Sequence, residues 1–257
     1  MLDRYYQRGK AVKFWSTQFY RDTEEARREK IYQPRAQLVF ELVKNHRPGS
    51  FDTFLDVGSG YGIFLEEVAK LGVFRTVIGI EPAPNMAEVA RQKGFAIIEK
   101  PVEFVAPRDA QADIATTFEV LEHVFSPLKF LRSIHRILKK DGILVYTTLT
   151  ISGFDLQVLW DRSKSIYPPH HINLISVEGM QRLIEKAGYK LVELTTPGKL
   201  DVDIVINSAR EDARVQLPRF IQYLLEKRSE ETHLAFQTFL QQNNLSSHIR
   251  CIVKKRA

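Results

Sequence analysis

The chain has 257 residues, 44% hydrophobic and 26% charged, with 13 Gly, 11 Pro and a single Cys, a balance that excludes a disordered, collagenous or disulfide-built protein. Its net charge is +6, but residues 1–50 hold 11 Lys/Arg against 6 Asp/Glu while the remainder holds 26 against 25, so the bulk of the chain is near neutral and nucleic acid is not the expected partner. Cys251 has no thiol to pair with, no apolar run approaches the ~18 residues of a membrane span, and the first ten residues lack the apolar centre of a signal peptide; a cytoplasmic protein with no membrane insertion is expected.

In chain order, the N-terminal segment interleaves Tyr5, Tyr6, Phe14, Trp15, Phe19 and Tyr20 with Arg and Lys, an aromatic density that needs burial against something. Asp22-Thr23-Glu24-Glu25 reads as a helix start, and Pro34 interrupts or restarts that helix, whose buried face is Val39, Leu42 and Val43. From about residue 51 to 149, short β-rich runs alternate with helical stretches: 51–57, 76–80, 96–99, 113–118 and 143–149. Such alternation predicts βαβ units and a parallel sheet. Phe64, Leu65, Val68 and Leu71 form one helical stripe, and Phe130, Leu131, Ile134, Ile137 and Leu138 another, both facing the sheet. Gly142 is expected to end the second of these helices in a turn. An irregular stretch with Pro168-Pro169 follows, then a helix near 176–187, a strand over 188–194, a short alternating strand at Asp201–Val205, two helical segments around 212–243 and a last strand over 248–254. Arg219, Phe220, Tyr223 and Leu224 belong to an amphipathic helix, read as a packed core helix rather than a substrate contact. No internal repeat and no long linker is visible, so one elaborated domain is expected.

Chemistry concentrates at Phe54-Leu55-Asp56-Val57-Gly58-Ser59-Gly60-Tyr61-Gly62, where three glycines sit at the turn from a buried strand into a helix. Glycine lets a ligand approach the backbone, and the helix start offers unpaired N–H groups to an anion. The next strand ends in Glu81, placed to accept both hydroxyls of a ribose. The glycines follow GxGxG rather than GxGxxG, and no GK[ST] is present, so a nicotinamide site and a P-loop both fit poorly.

These segments resemble the class I S-adenosylmethionine-dependent methyltransferases: LDVGSGYG at 55–62, Gly79-Ile80-Glu81-Pro82, and Asp113-Ile114-Ala115 through Phe118-Glu119-Val120-Leu121-Glu122-His123. The last stretch is similar to the ubiquinone-biosynthesis-like branch that acts on small molecules. The resemblance covers residues 51–149 and implies an α/β fold, Rossmann-like, with a mostly parallel seven-stranded sheet flanked by helices. It further implies S-adenosyl-L-methionine as cofactor and S-adenosyl-L-homocysteine as product. Asp56, Gly58 and Gly60, with Ser59 and Tyr61 in the same loop, would surround the methionine end. Glu81, followed by Pro82, would hold the ribose, Val102 and Glu103 would border adenine, and Phe118, Glu119 and His123 would line the cofactor pocket. By the same resemblance residues 1–50 form an N-terminal helical extension, with 10–35 a lid that brings Trp15, Tyr20 and Arg35 near the site. Ordinary packing or a dimer contact is the alternative for that segment. Residues 51–257 then form the methyltransferase domain, closed by an antiparallel pair of strands with 198–246 inserted between them.

Methyl transfer from a sulfonium depends mainly on geometry, worth up to ~7–11 kcal/mol, and a base adds less. Among seven histidines, His170 and His171 are the best candidates for a base, because Tyr167-Pro168-Pro169-His170-His171 lies after the fifth strand, where class I enzymes build the acceptor side. Tyr167 is a candidate substrate contact in the same stretch. A metal is not expected, since the adjacent pair has no acid-rich or Cys partner nearby in sequence. His123 is read as a wall of the cofactor site, and His46, His135, His233 and His248 as surface or structural. The expected function is methyl transfer to a small or carrier-linked metabolite at oxygen. The alternatives are an RNA or protein methyltransferase, and a cofactor-binding module without turnover that regulates or assembles. Oligomeric state is not legible.

Overall fold

The computed structural model describes residues 24–45 and 51–256. Trp15 and Tyr20, the other aromatics before residue 21, the Asp22-Thr23 helix start and His46 lie outside these residues. The chain opens with α1 (Glu24–Arg27), passes through a π turn (Arg28–Tyr32) and continues as α2 (Gln33–Asn45), so the wider turn falls just before Pro34. Then come β1 (Thr53–Val57), α3 (Ile63–Lys70), β2 (Thr76–Ile80), α4 (Pro84–Gln92), β3 (Ala96–Ile98), a 3₁₀ turn (Val102–Phe104), β4 (Ala112–Phe118), α5 (Pro127–Ile137) and β5 (Leu138–Leu149). The remainder is α6 (Phe154–Leu159), a 3₁₀ turn (Trp160–Arg162), α7 (Val177–Lys186), β6 (Tyr189–Thr195), α8 (Asp201–Glu211), α9 (Arg219–Lys227), α10 (Glu230–Gln242) and β7 (His248–Lys255).

The seven strands follow the order β3-β2-β1-β4-β5-β7-β6. β1 runs parallel to both β2 and β4, and β2 parallel to β3, with Asp56 opposite Gly79 and Thr116. The chain divides into two compact units: one made of the residues through Thr117 with Lys129–Leu144 and Lys254 onward, the other of Phe118–Leu128 and Val145–Val253.

The first unit is cored by Phe54, Leu55, Leu65, Ile80, Ile114, Leu131 and Ile134, all sealed from solvent, each contributing roughly 1.5–3 kcal/mol by burial. Val39, Leu42 and Val43 are buried as the stripe predicts, and so are Phe64, Leu65 and Val68, with Leu71 left half-exposed. Arg28 fastens the N-terminal helices to α3, reaching Glu24 at 2.8 Å, Glu66 at 2.9 Å and Glu67 at 2.5 Å. The second unit is cored by Tyr146, Met180, Ile184, Tyr189, Val205, Leu240 and Cys251. No helix among the described residues is long and apolar enough to cross a membrane.

Three expectations are corrected. Residues 201–205 are not a strand but the first turns of α8, because Asp201, Val202, Val205 and Ser208 are the positions buried and Val202, Val205 and Ser208 recur at helical spacing. No separate turn follows α5: β5 begins at Leu138, and both Asp141, at φ +62, and Gly142 lie within it. Gly142 is small for another reason: a Cβ there would come within 2.9 Å of the Lys139 carbonyl oxygen. Finally, α9 is no core helix: none of its residues is buried, and Phe220 is 68% exposed.

Candidate functional site

In the first unit, β1 and β2 deliver Asp56 and Glu81 at equivalent ends of adjacent parallel strands. The glycine loop between β1 and α3 needs backbone that L side chains resist: φ is +83 at Gly58, +53 at Gly60 and +74 at Gly62. Gly58 and Ser59 both donate their N–H to the Ile80 carbonyl, at 2.8 and 3.1 Å, so the loop is laid over the end of β2. Glu81 completes the turn. Its Oε2 accepts the Gly60 N–H at 2.8 Å and its Oε1 the Ala83 N–H at 2.8 Å. Burial nonetheless raises its pKa, against the pull of those two donors.

Asp56 is buried and accepts a hydrogen bond from Thr116 Oγ1 at 2.7 Å. Burial pushes its pKa up to about 7; the Thr116 hydroxyl and the charge of Arg35 oppose the shift, and Glu81 adds to it. The charge of Arg35 is thus one of those felt by Asp56. Pro82 follows Glu81, Val102 is buried in its 3₁₀ turn, and the Glu103 carbonyl accepts from Arg136 at 3.3 Å.

Three observations test whether these residues fit S-adenosylmethionine. A Cβ built on Gly60 would meet nothing within 4 Å, so open space lies in front of this backbone. Next to it the Ser59 hydroxyl is buried and has no hydrogen-bond partner. Glu81 has acceptor capacity left, since a carboxylate offers about four lone-pair sites and two are taken. The residues fit: Gly60, Ser59 and Asp56 would hold the methionine end, and Glu81 the ribose.

The second unit carries Phe118, Glu119, His123 and the loop from Tyr167 to His171. Phe118 ends β4, and Glu119 follows at φ +55, its N–H donated to the Thr147 carbonyl at 3.1 Å. The Glu119 carboxylate accepts from the Thr147 hydroxyl and pairs with His248 Nε2 at 2.9 Å. Glu122 is buried beside it, takes the Thr148 hydroxyl at 2.8 Å, and is pushed up to about 8 by burial and by the charge of Glu119. Tyr167 caps a turn by accepting the N–H groups of His170 and His171 at 2.8 and 3.1 Å. The Pro168–Pro169 peptide is cis, and the Tyr167 ring is 64% exposed.

The loop is stitched to the 119–124 segment. The Glu122 carbonyl accepts from Ile172 and Asn173 at 2.9 and 3.1 Å, and His123 Nδ1 donates to the His170 carbonyl at 2.8 Å. His123 therefore packs against both predicted histidines, with ring centroids 4.7 Å from His170 and 4.9 Å from His171. Burial drives its pKa down to about 4, so it is neutral near pH 7. His171 Nδ1 donates to the Ser165 carbonyl at 2.9 Å, which leaves Nε2 as the basic nitrogen of the neutral ring.

Sequence reading did not group His123 with the pair. The three imidazoles have ligating atoms within 4.8 Å of one another and could hold a metal ion, a donor set that the spacing of His170 and His171 alone does not reveal. His248, read as surface or structural, places Nε2 2.9 Å from the Glu119 carboxylate. Nothing in its local sequence signals this, because the partner is more than a hundred residues away.

The chain matches the methyltransferase domain family model over residues 24–194. The ubiquinone biosynthesis O-methyltransferase of Ruegeria pomeroyi is 30% identical over 161 residues, which is 54% of this chain and 64% of that protein. The chain thus spans less than two thirds of the length of this curated relative. Among solved structures, a S-adenosylmethionine-dependent methyltransferase from Clostridium acetobutylicum superposes with a TM-score of 0.60 at 9% identity, covering 93% of this chain and 98% of that one. A methyltransferase from Thermotoga maritima gives 0.53 at 20% identity over 93% and 98%. These two likenesses speak to the fold alone. With the family model matched over most of the described residues and the glycine loop closed on Glu81, the chain belongs to the class I S-adenosylmethionine-dependent methyltransferase family.

Proposed function

We propose that this chain transfers a methyl group from S-adenosyl-L-methionine to an oxygen of a small or carrier-linked metabolite, releasing S-adenosyl-L-homocysteine. The observation that carries the reading is the closure of the glycine loop on Glu81, with open space in front of Gly60. Oxygen as the acceptor atom is supported by the relatives named as O-methyltransferases. The Thermotoga and Clostridium likenesses carry no substrate information.

The cofactor supplies an activated methyl whose leaving group is a neutral thioether. The chain's own work is to bind, orient and take one proton. Asp56, Gly58, Ser59, Gly60 and Tyr61 hold the methionine end, Glu81 and Pro82 the ribose, and Val102 with Glu103 the adenine edge. The acceptor hydroxyl gives its proton to Nε2 of His171, whose other nitrogen is committed to the Ser165 carbonyl. His170 supports that ring and offers a second base. Tyr167 and Arg35 act as contacts of the bound ligands in a cytoplasmic enzyme.

Calorimetric titration with S-adenosyl-L-methionine, S-adenosyl-L-homocysteine and NADH in parallel tests the cofactor half without knowledge of the acceptor. Binding of both sulfur ligands that is abolished by Gly60→Arg is expected. Binding of NADH alone overturns the reading. A screen of hydroxylated acceptors, read by S-adenosyl-L-homocysteine release, then tests the acceptor atom; turnover confined to amines or to RNA refutes the oxygen assignment.

A further inference from the structure

Two buried carboxyl groups meet in the second unit outside every residue assigned above. Asp155, in the first turn of α6, has no solvent exposure, and Asp201, the first residue of α8, is 1% exposed. Four segments converge on them. The turn before α6 is pressed against the chain entering β7: Thr150 N donates to the Ser247 carbonyl at 2.8 Å and Phe154 N to the Leu245 carbonyl at 2.7 Å. The approach is so close that a Cβ on Gly153 would come within 2.1 Å of Ser247 Cα. Gln237 of α10 bridges the same place, donating to the Gly198 carbonyl and to Asp201 Oδ2, both at 2.9 Å.

Asp201 is surrounded by donors. Besides Gln237, the Ser246 hydroxyl gives Oδ2 a hydrogen bond at 2.6 Å and the Ser247 N–H gives Oδ1 another at 2.6 Å. Asp155 is not so served: neither of its carboxylate oxygens receives a well-aligned hydrogen bond. The Ser247 hydroxyl and the Leu156 N–H lie close enough to favour its ionised form, but the Asp201 carboxylate opposes it at hydrogen-bonding range. Two ionised carboxylates sealed together repel strongly, whereas one shared proton converts the contact into a charge-assisted O–H···O⁻ bond.

We propose that Asp155 and Asp201 form a one-proton carboxyl–carboxylate clasp that fastens the inserted helices α8 and α10 to the turn before α6, and that the clasp loosens when its proton is lost. It stands independently of the methyl-transfer reading. Gln237, Ser246 and Ser247 bond to the pair and carry no charge. Asp201 supplies the charge that acts on Asp155. Burial, and after it the charge of Asp201, push Asp155 from 3.8 up to about 6. The folded state therefore binds this proton more tightly than the unfolded chain. Stability from the clasp is full below about 4, declines as pH rises toward about 6, and is lost above.

The test uses the full chain. The urea midpoint is followed against pH for the wild type and for Asp155→Asn, whose amide donates to Asp201 at every pH. Other raised carboxyls titrate in both proteins, so the difference between the curves isolates the pair. The expected difference is zero at the acidic end and grows through the window, with the variant more resistant above about pH 6. Parallel curves over the whole range overturn the clasp. If the variant does not fold, carbon-13 NMR of the assigned Asp155 carboxyl in the wild type decides: titration near 6 supports the proposal, and titration near the ordinary 3.8 refutes it.

Discussion

Gly60 donates its backbone N–H to Glu81 Oε2 at 2.8 Å, across the gap between the glycine loop and the end of β2. The acid read as a ribose acceptor thus also holds the loop in shape. The two roles are separable, because a loop defect shows in the free protein and a ribose defect only when ligand is present.

Replacing Glu81 by Ala leaves the N–H groups of Gly60 and Ala83 without their acceptor. An unsatisfied buried donor costs about 1–3 kcal/mol, so a lowered urea midpoint is expected together with weakened binding of S-adenosyl-L-homocysteine. Glu81→Gln restores one acceptor oxygen and turns an NH₂ toward the other donor, and it should lie between Ala and wild type in both measurements. Unchanged calorimetric affinity in the Ala variant would take Glu81 out of the site.

Asp56, held up to about 7, gives cofactor binding a pH dependence. An ammonium group brought near Asp56 favours its carboxylate, so binding below about pH 7 should release up to one proton and tighten as pH rises to that value. Without ligand the sign is reversed. The folded pKa exceeds the ordinary 3.8, so this group's contribution to stability is full below about 4 and is lost as pH rises to about 7. Calorimetry in buffers of different ionisation enthalpy measures the proton directly. Asp56→Asn should bind without proton release; the same release in the variant assigns the proton elsewhere.

What could be read from sequence follows from how local each signal is. The strand at 76–80 is observed at Thr76–Ile80, and the strand at 188–194 at Tyr189–Thr195, because short β-rich runs bounded by turn residues state their own limits. Asp201–Val205 misled, since D-V-D-I-V alternates like a strand over five residues and shows its helical period only when Ser208 is included. The glycine loop was legible because Gly58, Ser59, Gly60 and Glu81 are joined through backbone geometry that two adjacent strands impose. The bonds of His123 to the His170 carbonyl and of Glu119 to His248 were not, since each joins distant segments whose side chains carry no shared pattern. The exposed face of α9 was missed because amphipathic spacing says that one side is apolar without saying that anything covers it.

Two glycines separate loop strain from ligand exclusion. At Gly60 a methyl has open space but must accept φ +53, a strain of roughly 1–2 kcal/mol. Gly60→Ala should therefore fold with a modestly lowered midpoint and lose much of its cofactor affinity. At Gly79 a Cβ would stand 2.5 Å from Ser59 Oγ and 2.6 Å from Ile97 Cδ1, and such overpacking costs about 1–3 kcal/mol. Gly79→Ala should show the larger stability loss in urea titrations. Equal affinity losses at equal stability in the two variants would mean that the space before Gly60 is not a ligand's.

The histidine pair is tested by turnover set against binding. His171 keeps Nδ1 on the Ser165 carbonyl, and His170 contributes its carbonyl to His123, both within the second unit. His171→Ala is expected to lower turnover by about 10²- to 10⁴-fold, the usual weight of a general base, with cofactor affinity nearly unchanged. His170→Ala should lower turnover as well. Burial, with a smaller contribution from the charge of His171, lowers the pKa of His170 below the ordinary 6.5. If His170 supplies the base, wild-type turnover should persist below pH 6.5 before an acid limb sets in, and that limb should disappear in His170→Ala. Wild-type turnover in both alanine variants would reject a histidine base on this loop and leave positioning alone to account for the rate.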